Sequence, residues 1–229
     1  MIDFNDAGPQ MGPMGEPIPD GAFCKLKMTI RPGGSNGFSP VDNGLLRSSE
    51  KSDAKMLDCE FAVLEGPYAN RKFWQMFTVQ GGKTNKKGES IGWNISKAAF
   101  RAMIESATGV NPKDTSAEAN AKRQLQGLAH LNGIIFAGKV MIEPSDNDQY
   151  DDQNRLAIVV TPDDQKHTAI MRGEDVPPEP VNAKTRKKGG QAQSSGTPSW
   201  DTGGAAAAAQ TSAQPPASGG ASAPAWLNG

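Results

Sequence analysis

Apolar and polar residues alternate along residues 56–80, MLDCEFAVLEGPYANRKFWQMFTVQ. Leu57, Cys59, Phe61 and Val63 fall on one side and Asp58, Glu60, Ala62 and Leu64 on the other, the period of two of a strand with one buried face. Gly66-Pro67 breaks the run as a turn does, and the alternation resumes over 71–79. There Phe73, Phe77 and Val79 share one face, and Lys72, Trp74, Met76 and Thr78 share the other. Two antiparallel strands are predicted. The outward side of the second carries a lysine and a tryptophan where a plain solvated sheet shows polar residues.

The same period marks residues 22–31. Ala22, Cys24, Leu26, Met28 and Ile30 form a core face, and Phe23, Lys25, Lys27, Thr29 and Arg31 form a basic one. A long polar connection follows over 35–55, in which Phe38 has no evident core partner. Residues 81–92 form a second basic loop. The period then changes to that of a helix over 96–108, with Ile95, Ala99, Phe100, Met103, Ile104 and Ala107 as its apolar stripe. Asn94 or Ser96 caps its start and Gly109 its end. Thr115 with Glu118 resembles a capping box and predicts a second helix to residue 130, with Lys122 and Arg123 on a solvated face. Residues 134–143 read as a strand kinked at Gly138, 144–154 as an acidic turn, and 156–161 as a last strand.

Strand, long loop, two strands, helices and two strands define a mainly β fold with an α insertion. The expected architecture is an OB-fold-like five-stranded barrel with one or two helices, plus a disordered C-terminal tail. Composition sets the limits. Residues 1–20 are expected to be a flexible N-terminal arm, 21–162 the OB-fold-like domain, and 163–229 a tail of Pro, Gly, Ala and Ser too poor in apolar side chains to fold. No run of 18 apolar residues predicts a membrane span, and 1–20 lacks the basic start and apolar stretch of a secretory signal, so a cytoplasmic location is expected, or the host cytoplasm for a viral protein.

Charge changes the picture more than its near-zero total. Residues 21–101 hold thirteen Lys and Arg against seven Asp and Glu, whereas 143–164 hold seven acids against Arg155 alone. A basic half suits a polyanion partner. Cys24 and Cys59 belong to no CxxC pair, and the isolated His130 and His167 form no metal-ligand set. Gly-Gly-Lys-Thr at 81–84 is no phosphate loop, because Phe77 stands where the first glycine would. Asp146, Asp148 and Asp151 lack the Gly and Glu of a calcium loop. No cofactor or metal is expected.

Single-strand binding needs cations for phosphates and flat faces for bases. Lys25, Lys27, Arg31, Arg47, Arg71, Lys72, Lys83, Lys86 and Lys87 are the candidate cations, and Trp74 and Trp93 the candidate faces. In the tail, Trp200, Trp226 and Leu227 stand in polar sequence as candidate docking residues for a partner.

F-A-V-L-E-G-P-Y-A-N-R-K at 61–72, after P-I-P-D-G at 17–21, resembles a family of phage and prophage proteins regarded as OB-fold single-stranded-DNA-binding proteins. The resemblance covers about 17–162 and is strongest at 57–79; Asn70 stands where that family usually has Gly. It implies a non-enzymatic protein of a phage replication or recombination module, binding single-stranded DNA or RNA without sequence preference and recruiting replication or recombination proteins through the tail. The tail is similar in placement to that of bacterial single-stranded-DNA-binding proteins, but it ends Trp-Leu-Asn-Gly rather than in acids and a Phe. The competing expectation is an interaction or assembly accessory protein that uses the barrel to dock another protein. A homo-oligomer suits either function.

Overall fold

The alternation along residues 22–31 becomes β1, Phe23–Arg31, with Cys24, Leu26, Met28 and Ile30 buried. The computed structural model of this chain describes residues 17–145 and 151–181. β2 is Arg47–Ser48, β3 Lys55–Val63, β4 Lys72–Gln80, β5 Ile135–Glu143 and β6 Gln153–Val160. All ladders are antiparallel. β3 pairs with β4, β1 and β2; β1 also pairs with β5, and β5 with β6. The main path is therefore β4–β3–β1–β5–β6.

This six-stranded sheet curls but does not close by a ladder. Its end strands β4 and β6 meet through side chains instead. The Leu156 amide donates to Gln75 Oε1 at 3.0 Å, and Arg155 Nη1 donates to the Trp74 carbonyl at 3.2 Å. Gln75 occupies a core-side position between Phe73 and Phe77, where a polar residue satisfies an edge amide that no neighbouring strand reaches.

Phe61 is the hub of the core. Its ring lies 5.1 Å from Phe73, 6.2 Å from Phe77 and 6.0 Å from Phe136, tying β3, β4 and β5. Helix α1, Ile91–Thr108, adds Phe100, Met103 and Ile104, with Phe100 5.1 Å from Phe77. The helix begins earlier than the periodicity predicts, because Ser90 rather than Asn94 or Ser96 is its cap and accepts from the Trp93 amide. Ile95 consequently faces solvent, 67% exposed, and leaves the predicted stripe. Gly109 closes α1 in the left-handed region, as expected, at φ 70°.

The second helix is far shorter than its capping signal suggests. α2 is Ala117–Lys122, capped by Ser116 and not by Thr115, and a separate 3-10 turn follows at Leu128–Leu131. Arg123 explains the early stop and is no solvated helix residue. Its guanidinium bonds the carbonyls of Asn111 and Asp114 at 3.0 and 2.7 Å and Glu105 at 2.7 Å. Glu105 is 2% exposed and also accepts from Arg101 at 2.8 Å. One buried carboxylate thus joins the end of α1 to the connection that follows.

Three further expectations change. The connection 35–55 holds structure, namely β2 and a 3-10 turn at Pro40–Asp42. The Ala129 amide donates to buried Asp42 Oδ1 at 3.0 Å and fixes that turn. Gly138 has no positive φ; a side chain there would meet Leu26 Cδ1 at 2.7 Å and Leu156 Cδ1 at 2.9 Å, and the register shift falls next door, between Lys139 and Val140. The folded chain also runs past residue 162. α3, Lys166–Met171, packs Ile170 on Ala137 and Val160. His167 Nε2 lies 3.0 Å from the Ser106 carbonyl, which only accepts, so that nitrogen carries the proton. Residues 174–181 then return to β1: the Glu179 amide bonds Gly21, and the Glu179 carboxylate bridges Lys139 and Lys166 at 3.0 Å each. The expected arm through residue 16 and the expected tail from residue 182 lie outside the described residues.

Replacing Glu105 by Ala leaves Arg123 partly buried without its carboxylate, a change that costs about 3–5 kcal/mol when a buried pair loses one member. Urea unfolding of Glu105→Ala is expected to show a loss of about 3 kcal/mol at unchanged m; a loss below about 1 kcal/mol would remove Glu105 from this structural role.

Candidate nucleic-acid interface

The ladders place the outward residues of three strands in rows. Arg31 of β1, Asp58 of β3 and Met76 of β4 form one row. Thr29, Glu60 and Trp74 form the next, and Lys27, Ala62 and Lys72 the third. A two-residue period on each strand and the shared register bring these side chains together, although they are up to 49 positions apart in sequence.

Trp74 points outward, 37% exposed, and Met76 beside it is 43% exposed. The Trp74 Nε1–H donates to Glu60 Oε2 at 3.3 Å, and Lys72 Nζ lies 2.8 Å from Glu60 Oε1. The ring is therefore tethered across the sheet rather than free to turn. The hydrogen bond from Lys72, more than that from Trp74, holds the Glu60 carboxyl below the usual carboxylate range.

A cavity of ≈ 600 Å³ opens beside this ring at the seam between β4 and β6. Arg31, Arg47, Trp74, Met76, Arg155 and Glu143 are among its walls. Arg47 Nη1 lies 3.4 Å and Arg31 Nη1 3.9 Å from Asp58 Oδ2, and Asp58 is 3% exposed. Arg155 Nε donates to Glu143 at 2.7 Å. With Met141 also on the wall, three guanidiniums, one indole and two thioethers face one opening, each guanidinium steadied by an acid.

Of the residues proposed from sequence, Lys27, Arg31, Arg47, Lys72 and Trp74 gather on this face. Lys25 does not join them: it pairs with Glu65 at 2.7 Å and its side chain is only 19% exposed, with Gly173 at the end of α3 packed against Glu65. Arg71 sits over the Tyr68 ring at 5.7 Å, beyond the end of the face. Lys83, Lys86 and Lys87 are exposed on the loop 81–90, which the Gly82 amide ties to Asp53 and Asn85 ties to Glu89. Trp93 is remote from Trp74 in its packing. It is half-buried against the core, 6.4 Å from Phe100 and 5.3 Å from Phe38. Trp200, Trp226 and Leu227 lie outside the described residues.

Sequence reasoning missed Arg155, Met141 and Glu143. Arg155 had one signal, being the only base in an acidic stretch, but nothing along the chain says that β6 comes round to β4. Nothing along the chain marks Asp58 and Glu60 as the partners of these cations across the strands.

No set of His, Cys, Asp and Glu able to hold a metal is found among the described residues. No described helix is long and apolar enough to cross a membrane. Burial pushes the Cys24 thiol up to about 12, and burial with the neighbouring Asp58 charge pushes Cys59 up as well. No family model, curated protein or solved structure matches this chain.

Two outcomes follow from this geometry. Trp74→Ala removes a part-exposed ring with no share in the buried core, so unfolding is expected to shift by no more than about 1 kcal/mol, measured by urea denaturation followed by circular dichroism. Cys24 and Cys59 are expected to resist a thiol reagent at pH 8 in the folded protein and to react fully in denaturant; rapid labelling of the native protein would contradict their burial.

Proposed function

We propose that this chain is a non-enzymatic single-stranded-nucleic-acid-binding protein that engages its ligand, DNA or RNA, on the β1–β3–β4 face and the adjoining β4–β6 seam. The observation that carries the reading is the meeting of an outward, tethered Trp74 with Arg31, Arg47 and Arg155 around one open groove. Bases stack on Trp74 and Met76, and the guanidiniums take the backbone phosphates. The requirement is chemically undemanding about sequence, since every base has a flat face and every nucleotide a phosphate.

The five long strands support an OB-fold-like architecture within this reading. Such a barrel is small and partly open, and it uses its second and third strands for oligonucleotides. β3 and β4 are the second and third long strands here, and β2 is a two-residue addition inside the first connection. The resemblance of residues 61–72 to the phage family supports a place in a replication or recombination module of a phage, with residues 182–229 as the recruiting segment.

The acids on this face set its strength. A phosphate reaching Lys72 competes with Glu60, and one reaching Arg31 or Arg47 competes with Asp58. Binding is therefore weaker than the count of cations implies, and it strengthens when an acid is neutralised. Glu60 titrates below the ordinary range when folded, so its favourable contribution to stability is complete above the unfolded pKa and is lost as pH falls through the depressed value. Protonation there also releases Lys72.

A second reading has its own support. Ile91 and Ile95 lie one turn apart on α1 and are 42% and 67% exposed, a small apolar strip suited to contact with another protein. The two readings part in one titration of labelled oligo-dT, its RNA counterpart and duplex DNA at two salt concentrations. Salt-sensitive binding to single strands is expected, with Trp74→Ala about fivefold or more weaker. Glu60→Gln is expected to bind more tightly than the parent at neutral pH. Absence of any single-strand binding at micromolar protein and 50 mM salt would sink the reading and leave the docking alternative.

A further inference from the structure

Phe38 is the most exposed aromatic ring among the described residues, yet the fold fixes its placement. It is 57% exposed, with its ring 5.3 Å from Trp93 at 51°. Trp93 in turn rests on Phe100 at 6.4 Å, so Phe38 stands at the outer end of a row of rings that begins in the core. The turn that carries it is braced. The Gly37 amide bonds the Asp42 carbonyl at 3.1 Å, the Asp42 amide bonds Ser39 at 3.0 Å, and Asp42 Oδ1 takes the Ala129 amide at 3.0 Å. The core makes no use of the ring's outer side.

The cations around it differ from those of the sheet face. Lys72, Arg31, Arg47 and Arg155 are all held by carboxylates. Lys51, Lys83, Lys86, Lys87 and Lys97 make no ion pair among the described residues, and Lys97 Nζ stands 6.0 Å from the Trp93 ring. Lys55 Nζ donates to the Asn36 carbonyl at 3.4 Å, two residues before Phe38. Most of the lysines that lack an ion pair among the described residues thus lie at the end where the Phe38 turn, residues 49–55 and residues 81–97 meet; Lys27 on the sheet face and Lys113 after α1 also lack one.

These parts are contiguous with the groove. Arg47 lines the groove and lies opposite Met56; the next pair is Ser48 with Lys55, and Lys55 reaches Asn36. Gly82 joins the loop 81–90 to Asp53 at the same end. A polyanion leaving Trp74 past Arg47 therefore meets Lys55, then unneutralised lysines, then a flat ring with one open side.

We propose that Phe38, backed by Trp93, is a second base-stacking platform, and that a single strand spans from Trp74 to Phe38 with the lysines of residues 51–55 and 83–97 on its phosphates. This rests on the single-strand function proposed above and extends its site beyond the sheet face. The platform is a Phe in a polar loop, with Trp93 as its support rather than as the ligand-facing ring.

The test compares oligo-dT of about four and about sixteen nucleotides, the two ends of the range for a single domain of this kind, on the full chain and its variants. The sixteen-mer is expected to bind Phe38→Ala and Phe38→Leu about fivefold or more weakly than the parent, and Phe38→Tyr like the parent. The four-mer, which Trp74 alone accommodates, is expected to bind Phe38→Ala nearly as it binds the parent, whereas Trp74→Ala weakens both lengths. Near-ultraviolet circular dichroism checks that the variants keep the Trp93 environment. Parent-like affinity of Phe38→Leu for the sixteen-mer, with Trp74→Ala still impaired, would overturn the second platform and leave the first standing. Failure of the parent to bind either length would overturn both.

Discussion

Two side-chain hydrogen bonds, Gln75 to the Leu156 amide and Arg155 to the Trp74 carbonyl, stand where a ladder between β4 and β6 would complete the sheet. The rest of the molecule is arranged around that incomplete seam. A ladder would set the two strands about 4.8 Å apart and leave no opening between them. Side-chain bridging holds them further apart and leaves the groove that Arg31, Arg47, Trp74 and Arg155 share. The core tolerates this because Phe61 ties β3, β4 and β5 from within, and α1 lays Phe100 and Met103 over the same cluster. The Leu156 amide and the Trp74 carbonyl find partners this way, which matters because a buried amide without a partner costs on the order of 1–3 kcal/mol.

Electrostatics divides the surface into two kinds. On the sheet face Arg31 and Arg47 share Asp58, and Lys72 pairs with Glu60, acids set there by cross-strand register. Such pairs fix geometry: Glu60 holds both Lys72 and the indole, and Asp58 both arginines. They also lower the attraction felt by a distant polyanion, because the field of each cation is largely cancelled beyond the pair. At the loop end the lysines lack such partners, and their field reaches outward. On the single-strand reading proposed above, the loops would chiefly attract the strand and the face would chiefly position it. Approach and alignment are thus carried by different residues.

Residues 163–181 show how composition misleads when it is averaged. Their polar and proline-rich character resembles the sequence beyond them, yet His167 and Ile170 are buried and Glu179 links Lys139 to Lys166. A few well-placed apolar residues suffice when an existing sheet offers Ala137, Val160 and Phe23 as a surface. The preference of that segment for order lies in the partner surface, and a window of sequence contains no record of it. The overstated second helix has the same origin. Thr115 and Glu118 have the spacing of a capping box, but Ser116 caps and the Arg123 side chain closes the helix by reaching back to Asn111 and Asp114.

The five long strands, their inward faces and the main helix with its Gly109 end were legible in the chain itself, because a period of two or of 3.6 is a local property that burial imposes directly, whereas the outward turn of Trp74 was settled only by the fold. Asn70 takes the left-handed region at φ 68° in the turn between β3 and β4. What the tertiary structure alone decided is which outward residues meet. Arg31, Asp58 and Met76 share a row through register between strands, and Arg155 reaches Trp74 only because the sheet curls. The pairing of Trp93 with Phe38 instead of Trp74 depends on how the first long connection folds over α1. These are relations between residues far apart in sequence. They are fixed by packing and by the requirement that every edge amide find an acceptor, neither of which is written at any single position.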